Sequence, residues 1–163
     1  MKLSATPAFQ RGILFGILAS IAWIVYNYLV NLANLNVATS NWVNNIFLVV
    51  LMVLFTLTGV VTARITGNFE TGAYAGLIAS FIGAVVGVIT LFAITFIFMD
   101  TIRQSQIMLQ AFQASGEADL TQFIIDDAFG GAIFGMFLSL ALGSGMGAIG
   151  GLLGKMLASR AHA

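Results

Sequence analysis

Long apolar stretches separated by short polar ones set the organisation of the chain. Four of them run approximately over residues 12–33, 43–63, 73–99 and 128–154, and none contains an Asp, Glu, Lys or Arg. A helix needs about 20 apolar residues to cross a bilayer, so each stretch predicts one transmembrane helix. The expected fold is an all-α integral membrane protein, a four-transmembrane-helix bundle forming one domain over residues 1–163. The first stretch follows Lys2 and Arg11 but exceeds the usual 7–15 residues of a signal-peptide core, and no small-x-small cleavage site closes it. It reads as a retained first span.

The segment 100–127 is the long connection and is expected to be helical and extracytoplasmic. Residues 100–114 can either continue the third helix or lie separately on the membrane surface. Ser115-Gly116-Glu117 interrupts the pattern. Asp119 followed by Gln122 resembles a capping box with Asp in place of Ser or Thr, which predicts a helix starting there and feeding the fourth span.

Charge supplies an orientation. In a four-span arrangement Lys2, Arg11, Arg64, Lys155 and Arg160 fall on one side, and Arg103 alone falls on the other. The positive-inside rule then puts both termini and the Arg64–Gly72 loop in the cytoplasm. Asp100, Glu117, Asp119, Asp126 and Asp127 lie outside, and Glu70 lies inside. The formal net charge of zero is thus a cancellation between two oppositely charged faces.

Seven of the eight asparagines lie between Asn27 and Asn45, flanked by Trp23, Tyr26, Tyr28 and Trp42. Asn27, Asn31 and Asn34 share one face of the first helix by their spacing. Interfacial anchoring explains such a zone, and so does contact with a partner subunit or a ligand head group. The candidate partner-contact residues are Asn27, Asn31, Asn34, Asp100, Arg103, Glu117, Asp119, Asp126 and Asp127. A hard cation held by the last four acids lacks calcium-loop spacing, and capping at a helix N-terminus is the simpler role for them.

Three spans begin with G-x-x-x-G-x-x-x-S. The motif comprises Gly12, Gly16 and Ser20 in the first, Gly72, Gly76 and Ser80 in the third, and Gly131, Gly135 and Ser139 in the fourth. The fourth continues through Gly143, Gly147 and Gly151, and the second has no equivalent. Small residues four apart let another backbone approach closely. These are the candidate helix-packing residues, within one chain, between subunits, or along a pore or lipid path. A step of four overshoots a turn by about 40°, so the stripe in the fourth span winds around the helix and different partners are expected at its two ends. The arrangement resembles the glycine-spaced four-span proteins of bacterial inner membranes, a likeness of architecture that implies no activity.

Composition narrows the chemistry. Twelve charged residues in 163 cannot cover a water-soluble domain. There is no cysteine, one histidine (His162) and one proline (Pro7), so thiolate metal sites, intramembrane histidine ligation and proline kinks are excluded. No basic patch suits nucleic acid. The glycine-rich run ending at Lys155 lacks the Ser or Thr of a phosphate loop, having Met156 instead. No catalytic, cofactor-binding or metal-binding residues are assigned, and a non-enzymatic protein is expected. The expected function is an accessory or scaffold subunit, packed against membrane protein partners in the bilayer of an energy-transducing (respiratory or photosynthetic) complex. The alternative is a small homo-oligomeric transporter, channel or lipid-handling protein.

Overall fold

A computed structural model describes residues 5–33 and 35–160. The chain forms α1 (Ala5–Leu32), α2 (Val37–Thr66), α3 (Phe69–Ile97), α4 (Met99–Arg103), α5 (Gln106–Ser115) and α6 (Leu120–Arg160), with no strand among the described residues. Helices α1, α2, α3 and α6 are each long and apolar enough to cross a membrane.

The long helices begin well before their apolar runs because polar residues start them. Asn36 caps α2, its side-chain oxygen accepting the Thr39 amide at 2.9 Å. Asn68 caps α3 by accepting the Glu70 amide at 3.0 Å, and the Glu70 carboxylate in that first turn complements the helix dipole. Gly67 ends α2 in the left-handed region at φ 70°, with its N–H on Ala63 O at 2.8 Å. The α2–α3 connection is therefore only Gly67 and Asn68, shorter than the 64–72 gap between the apolar runs.

The third helix stops at Ile97, before Met99. Phe98 leaves helical geometry (φ −111°, ψ 26°), and two short helices follow. Residues 100–114 thus neither prolong α3 nor form one helix. Gly116, at φ 75°, closes α5. Asp119 begins α6, its carboxylate accepting the amides of Thr121 at 2.7 Å and Gln122 at 3.3 Å. The box is only half formed, because the Gln122 side chain turns forward to Asp126 at 3.0 Å. At 1.5 Å per residue the 41-residue α6 is about 60 Å long, about twice a bilayer's hydrocarbon thickness.

Helices α2 and α3 lie between α1 and α6 and each touches all the other long helices. One end of this assembly carries the start of α1, the α2–α3 turn and the end of α6 (the terminal end). The other carries the α1–α2 connection, α4 and α5 (the loop end).

At the terminal end, backbones meet. A Cβ built on Gly76 would lie 2.9 Å from Gly147 Cα and collide with Gly143 O. One on Gly72 would lie 2.8 Å from Gly151 Cα. On the other flank of α6, Gly147, Gly150 and Gly154 lie against Gly59, Thr56 and Val60 of α2. Gly12 and Gly16 receive the side chains of Ile78 and Ile82 of α3. The interior is correspondingly small: Ala19, Ala63, Ala75, Ala79, Thr58, Thr62, Ser80 and Ser139 are fully buried, with Phe55 and Leu51 the largest buried side chains. Buried hydroxyls are satisfied locally, Thr58 and Thr62 donating to the carbonyls four residues back at 2.7 Å. Large apolar side chains such as Ile21, Ile89, Phe96 and Phe137 point outward.

Gly143→Leu and Gly147→Leu are therefore expected to destabilise the folded chain by upwards of about 3 kcal/mol through overpacking. Gly130→Ala, where nothing lies within 4 Å of the added carbon, should stay within about 1 kcal/mol of the parent. Reversible unfolding in mixed SDS–detergent micelles measures both. Equal stabilities would show that the glycine contacts do not hold the helices.

Candidate functional site

The helices that meet backbone to backbone at the terminal end separate toward the loop end, where the residues are larger. Trp23 of α1 is the wedge. Its ring lies against Gly83 and Gly87 of α3 and reaches Gly135 of α6, where a Cβ would stand 3.1 Å from the indole. Phe47 of α2 meets Trp23 edge-on at a ring separation of 4.8 Å and stacks on Tyr26 at 4.1 Å. This aromatic cluster holds α1 and α2 together and away from α6. The Trp23 Nε1–H is buried without a partner among the described residues, a cost of about 1–3 kcal/mol that the fit of the ring into three glycines must offset.

Between α1, α2 and α6 this leaves a cavity of about 370 Å³, within the usual range of roughly 300–1,000 Å³ for small-molecule sites. Its walls are apolar on Phe47, Leu48, Leu51, Leu91, Phe134 and Leu138, and polar on Asn27, Asn31, Asn44, Ser139 and Asp127. Asn27 is 3% exposed, and its amide nitrogen donates to Gly87 O at 2.8 Å, tying α1 to α3. Asn31 donates to Asn27 O at 2.8 Å. The Tyr26 hydroxyl donates to Asn44 Oδ1 at 3.0 Å. Ser139 donates to Ser80 O at 3.3 Å, closing the cavity floor where α3 and α6 come together.

No protein-family model, curated protein or solved structure matches this chain.

The candidate residues divide between the two ends. Gly12, Gly16, Gly72, Gly76, Gly143, Gly147 and Gly151 stand in close contact with neighbouring helices. Ser20 is buried, bonded to Gly16 O of its own helix at 2.8 Å, and Ser80 sits against Gly143. Gly135 meets Trp23, while Gly131 has only Leu91 within 4 Å and faces the cavity. The repeat in α6 therefore packs at one end and lines space at the other. Gly59, Gly150 and Gly154, absent from the repeat, build the α2–α6 contact. The spacing of Gly147, Gly150, Gly151 and Gly154 carried that signal as two adjacent rows on one helix.

Asn27 and Asn31 share the cavity wall, and Asn34 lies outside the described residues. Asp100 and Arg103 form an exposed pair at 3.6 Å on α4, of little energetic weight, and Arg103 also reaches the Thr121 hydroxyl. Glu117 and Asp119 lie in the exposed link before α6. Asp126 and Asp127 are the seventh and eighth residues of α6, too far along it to cap it, so the capping role expected for these acids falls to Asp119 alone. Asp126 accepts from Gln122, whereas Asp127 lines the cavity with no hydrogen-bond or ion-pair partner among the described residues. No three His, Cys, Asp or Glu side chains converge as metal ligands among the described residues.

The two backbone amides on Asp119 hold its carboxyl below the ordinary carboxylate range. A lowered folded value means that its contribution to stability is present above the unfolded value near 3.9 and is lost as pH falls through the folded one. Asp119→Ala, or acidification through the lowered Asp119 value, should reduce the hydrogen-exchange protection factors of Thr121 and Gln122, taken relative to the unfolded chain at the same pH, while leaving the Gly143–Gly154 segment protected. Unchanged exchange at the start of α6 would remove Asp119 as its cap.

Proposed function

We propose that this chain is a multi-pass protein of the bacterial inner membrane, a four-helix bundle with both termini in the cytoplasm, and that it binds a small amphipathic molecule from the lipid phase without chemical catalysis. It is the transporter or lipid-handling alternative rather than the accessory subunit that this reading favours. The observation that carries it is the cavity between α1, α2 and α6, with apolar walls and asparagine and aspartate groups converging on one side.

Two features support membrane insertion. The exterior of the long helices is made of large apolar side chains, a surface suited to hydrocarbon rather than water. The described bases Arg11, Arg64 and Lys155 lie toward the terminal end, as do the ends of α1, α2 and α6 that carry them. The subunit reading drew on the small-residue faces. In this chain those faces are mostly covered by its own helices, so they offer a partner little. What remains for a partner is the loop end, where α5 has no buried residue and the acids Asp100, Glu117, Asp119, Asp126 and Asp127 are exposed.

The cysteine-free sequence makes orientation directly measurable. With single cysteines at Glu70, Gln110 and Ser159, a membrane-impermeant maleimide added to intact cells should label only Gln110→Cys. Labelling of Glu70→Cys or Ser159→Cys instead would invert the topology.

Native mass spectrometry of protein released from mild detergent tests the binding role. The expected spectrum carries a small-molecule adduct that Gly131→Leu removes by filling the cavity. A ligand-free chain in stoichiometric complex with other membrane proteins would establish the subunit reading in its place.

A further inference from the structure

We infer that the cavity takes an amphipathic ammonium cation, reached from the lipid phase between α1 and α6. The inference rests on the reading of this cavity as the binding site and adds the class of its ligand.

The charge of the lining decides first. Asp127 is the one ionisable carboxylate on the wall, no Lys, Arg or His lines it, and Asp127 has no partner among the described residues. An anionic head group would meet repulsion there. An uncharged one would gain nothing from the carboxylate, which stands exposed at the rim of the cavity. A cation pairs it.

The remaining polar atoms point the same way. The amide nitrogens of Asn27 and Asn31 already donate to Gly87 O and Asn27 O, and the hydroxyls of Tyr26 and Ser139 donate to Asn44 Oδ1 and Ser80 O. The side-chain oxygens of Asn27 and Asn31 accept no hydrogen bond from the described residues. Two donors remain on the lining residues, the Asn44 amide nitrogen and the buried Trp23 Nε1–H, beside three acceptor groups, the Asn27 and Asn31 oxygens and the Asp127 carboxylate. A ligand bearing N–H groups matches that wall.

Aromatic rings supply the third element. Trp23, Tyr26 and Phe47 form one packed cluster on the wall, and Phe134 faces the cavity from α6. Ring faces attract ammonium groups, tryptophan most strongly. Leu48, Leu51, Leu91 and Leu138 leave a hydrocarbon surface for the rest of the molecule. A volume of about 370 Å³ equals roughly a dozen water volumes. That accommodates an ammonium head with a short chain or ring, and not a two-chain lipid. Access is open beside Gly131, which is exposed and has only Leu91 within 4 Å of an added Cβ.

The test uses the full chain in nanodiscs of zwitterionic lipid, with Trp42→Phe so that Trp23 fluorescence reports alone. Octylammonium, octanol and octanoate share one chain and differ in head-group charge, and empty discs correct for partitioning. Octylammonium should bind saturably and most tightly. Asp127→Asn should weaken it by at least about tenfold while leaving octanol within about twofold. Gly131→Leu should block binding with the unfolding stability of the parent retained. Octanol or octanoate binding as tightly as octylammonium, or octylammonium indifferent to Asp127→Asn, overturns the ammonium class while the cavity reading stands, provided Gly131→Leu still blocks binding. No saturable binding by any of the three, or binding that Gly131→Leu leaves unchanged, overturns both.

Discussion

The approach of α6 to two neighbouring backbones at once is the constraint from which the rest of the structure follows. Between apolar helices in lipid, where we propose that this chain lies, the hydrophobic effect supplies no net attraction, and association depends on dispersion and weak Cα–H···O contacts that act only at short range. Gly147 sits where three helices converge: added carbons on Gly59 of α2 and on Gly72 of α3 would both run into its carbonyl oxygen. Any side chain there would be driven into the α3 backbone at Gly72 and Gly76. Because steps of four drift by about 40° each, one row of glycines could not serve both helices over several turns. The first row faces α3 from Gly143 to Gly151, and the second row, Gly150 and Gly154, faces α2.

That closeness at one end has a geometric consequence at the other. Straight helices in contact at the terminal end can stay in contact at the loop end only if the residues there are equally small. They are not: Trp23, Phe47 and Leu91 stand where alanine and glycine stand lower down. Gly83, Gly87 and Gly135 absorb part of the Trp23 ring and keep α1 on α3, but the α2–α6 side has no such accommodation and opens into the cavity. A separate cluster of Ile94, Ile102 and Ile124, packed with Leu32 and Met99, holds the loop ends of α3, α4 and α6 together. The cavity is thus bounded by packing above and below.

How much of this was legible in the sequence depends on the range of the interaction concerned. The four long helices are legible because length and apolarity are local properties. Their true ends are not, because Asn36, Gly67 and Asn68 act as caps, and an asparagine in an asparagine-rich stretch carries no mark separating a cap from an interfacial residue. The break at Phe98 is hidden inside an uninterrupted apolar run. The repeat of small residues points to close approach in α1, α3 and α6, yet Gly131 and Gly143 belong to one row and have opposite surroundings, open space and the Ser80 side chain respectively. Spacing tells which residues share a face, and only the partner helix tells what that face meets. The same limit applies to Asp127, whose sequence context reads as helix capping until the start of α6 is fixed seven residues earlier at Leu120.

The position of Asp127 also gives meaning to the charge distribution. Asp100, Glu117, Asp119, Asp126 and Asp127 all lie at the loop end, opposed there by Arg103 alone, whereas the described bases Arg11, Arg64 and Lys155 lie toward the terminal end. A molecule with no net charge therefore has a strong internal asymmetry, and its negative end is the end at which the cavity lies. An acid-rich surface raises the local concentration of cations and lowers that of anions. Four of the five acids contribute only this long-range field, since Asp100, Asp119 and Asp126 are engaged on the surface and Glu117 is exposed beside them. Asp127 alone converts the field into a contact. Its carboxylate is tolerable on an otherwise apolar wall because it is exposed at the rim, one turn or more before Phe134 and Leu138 on α6.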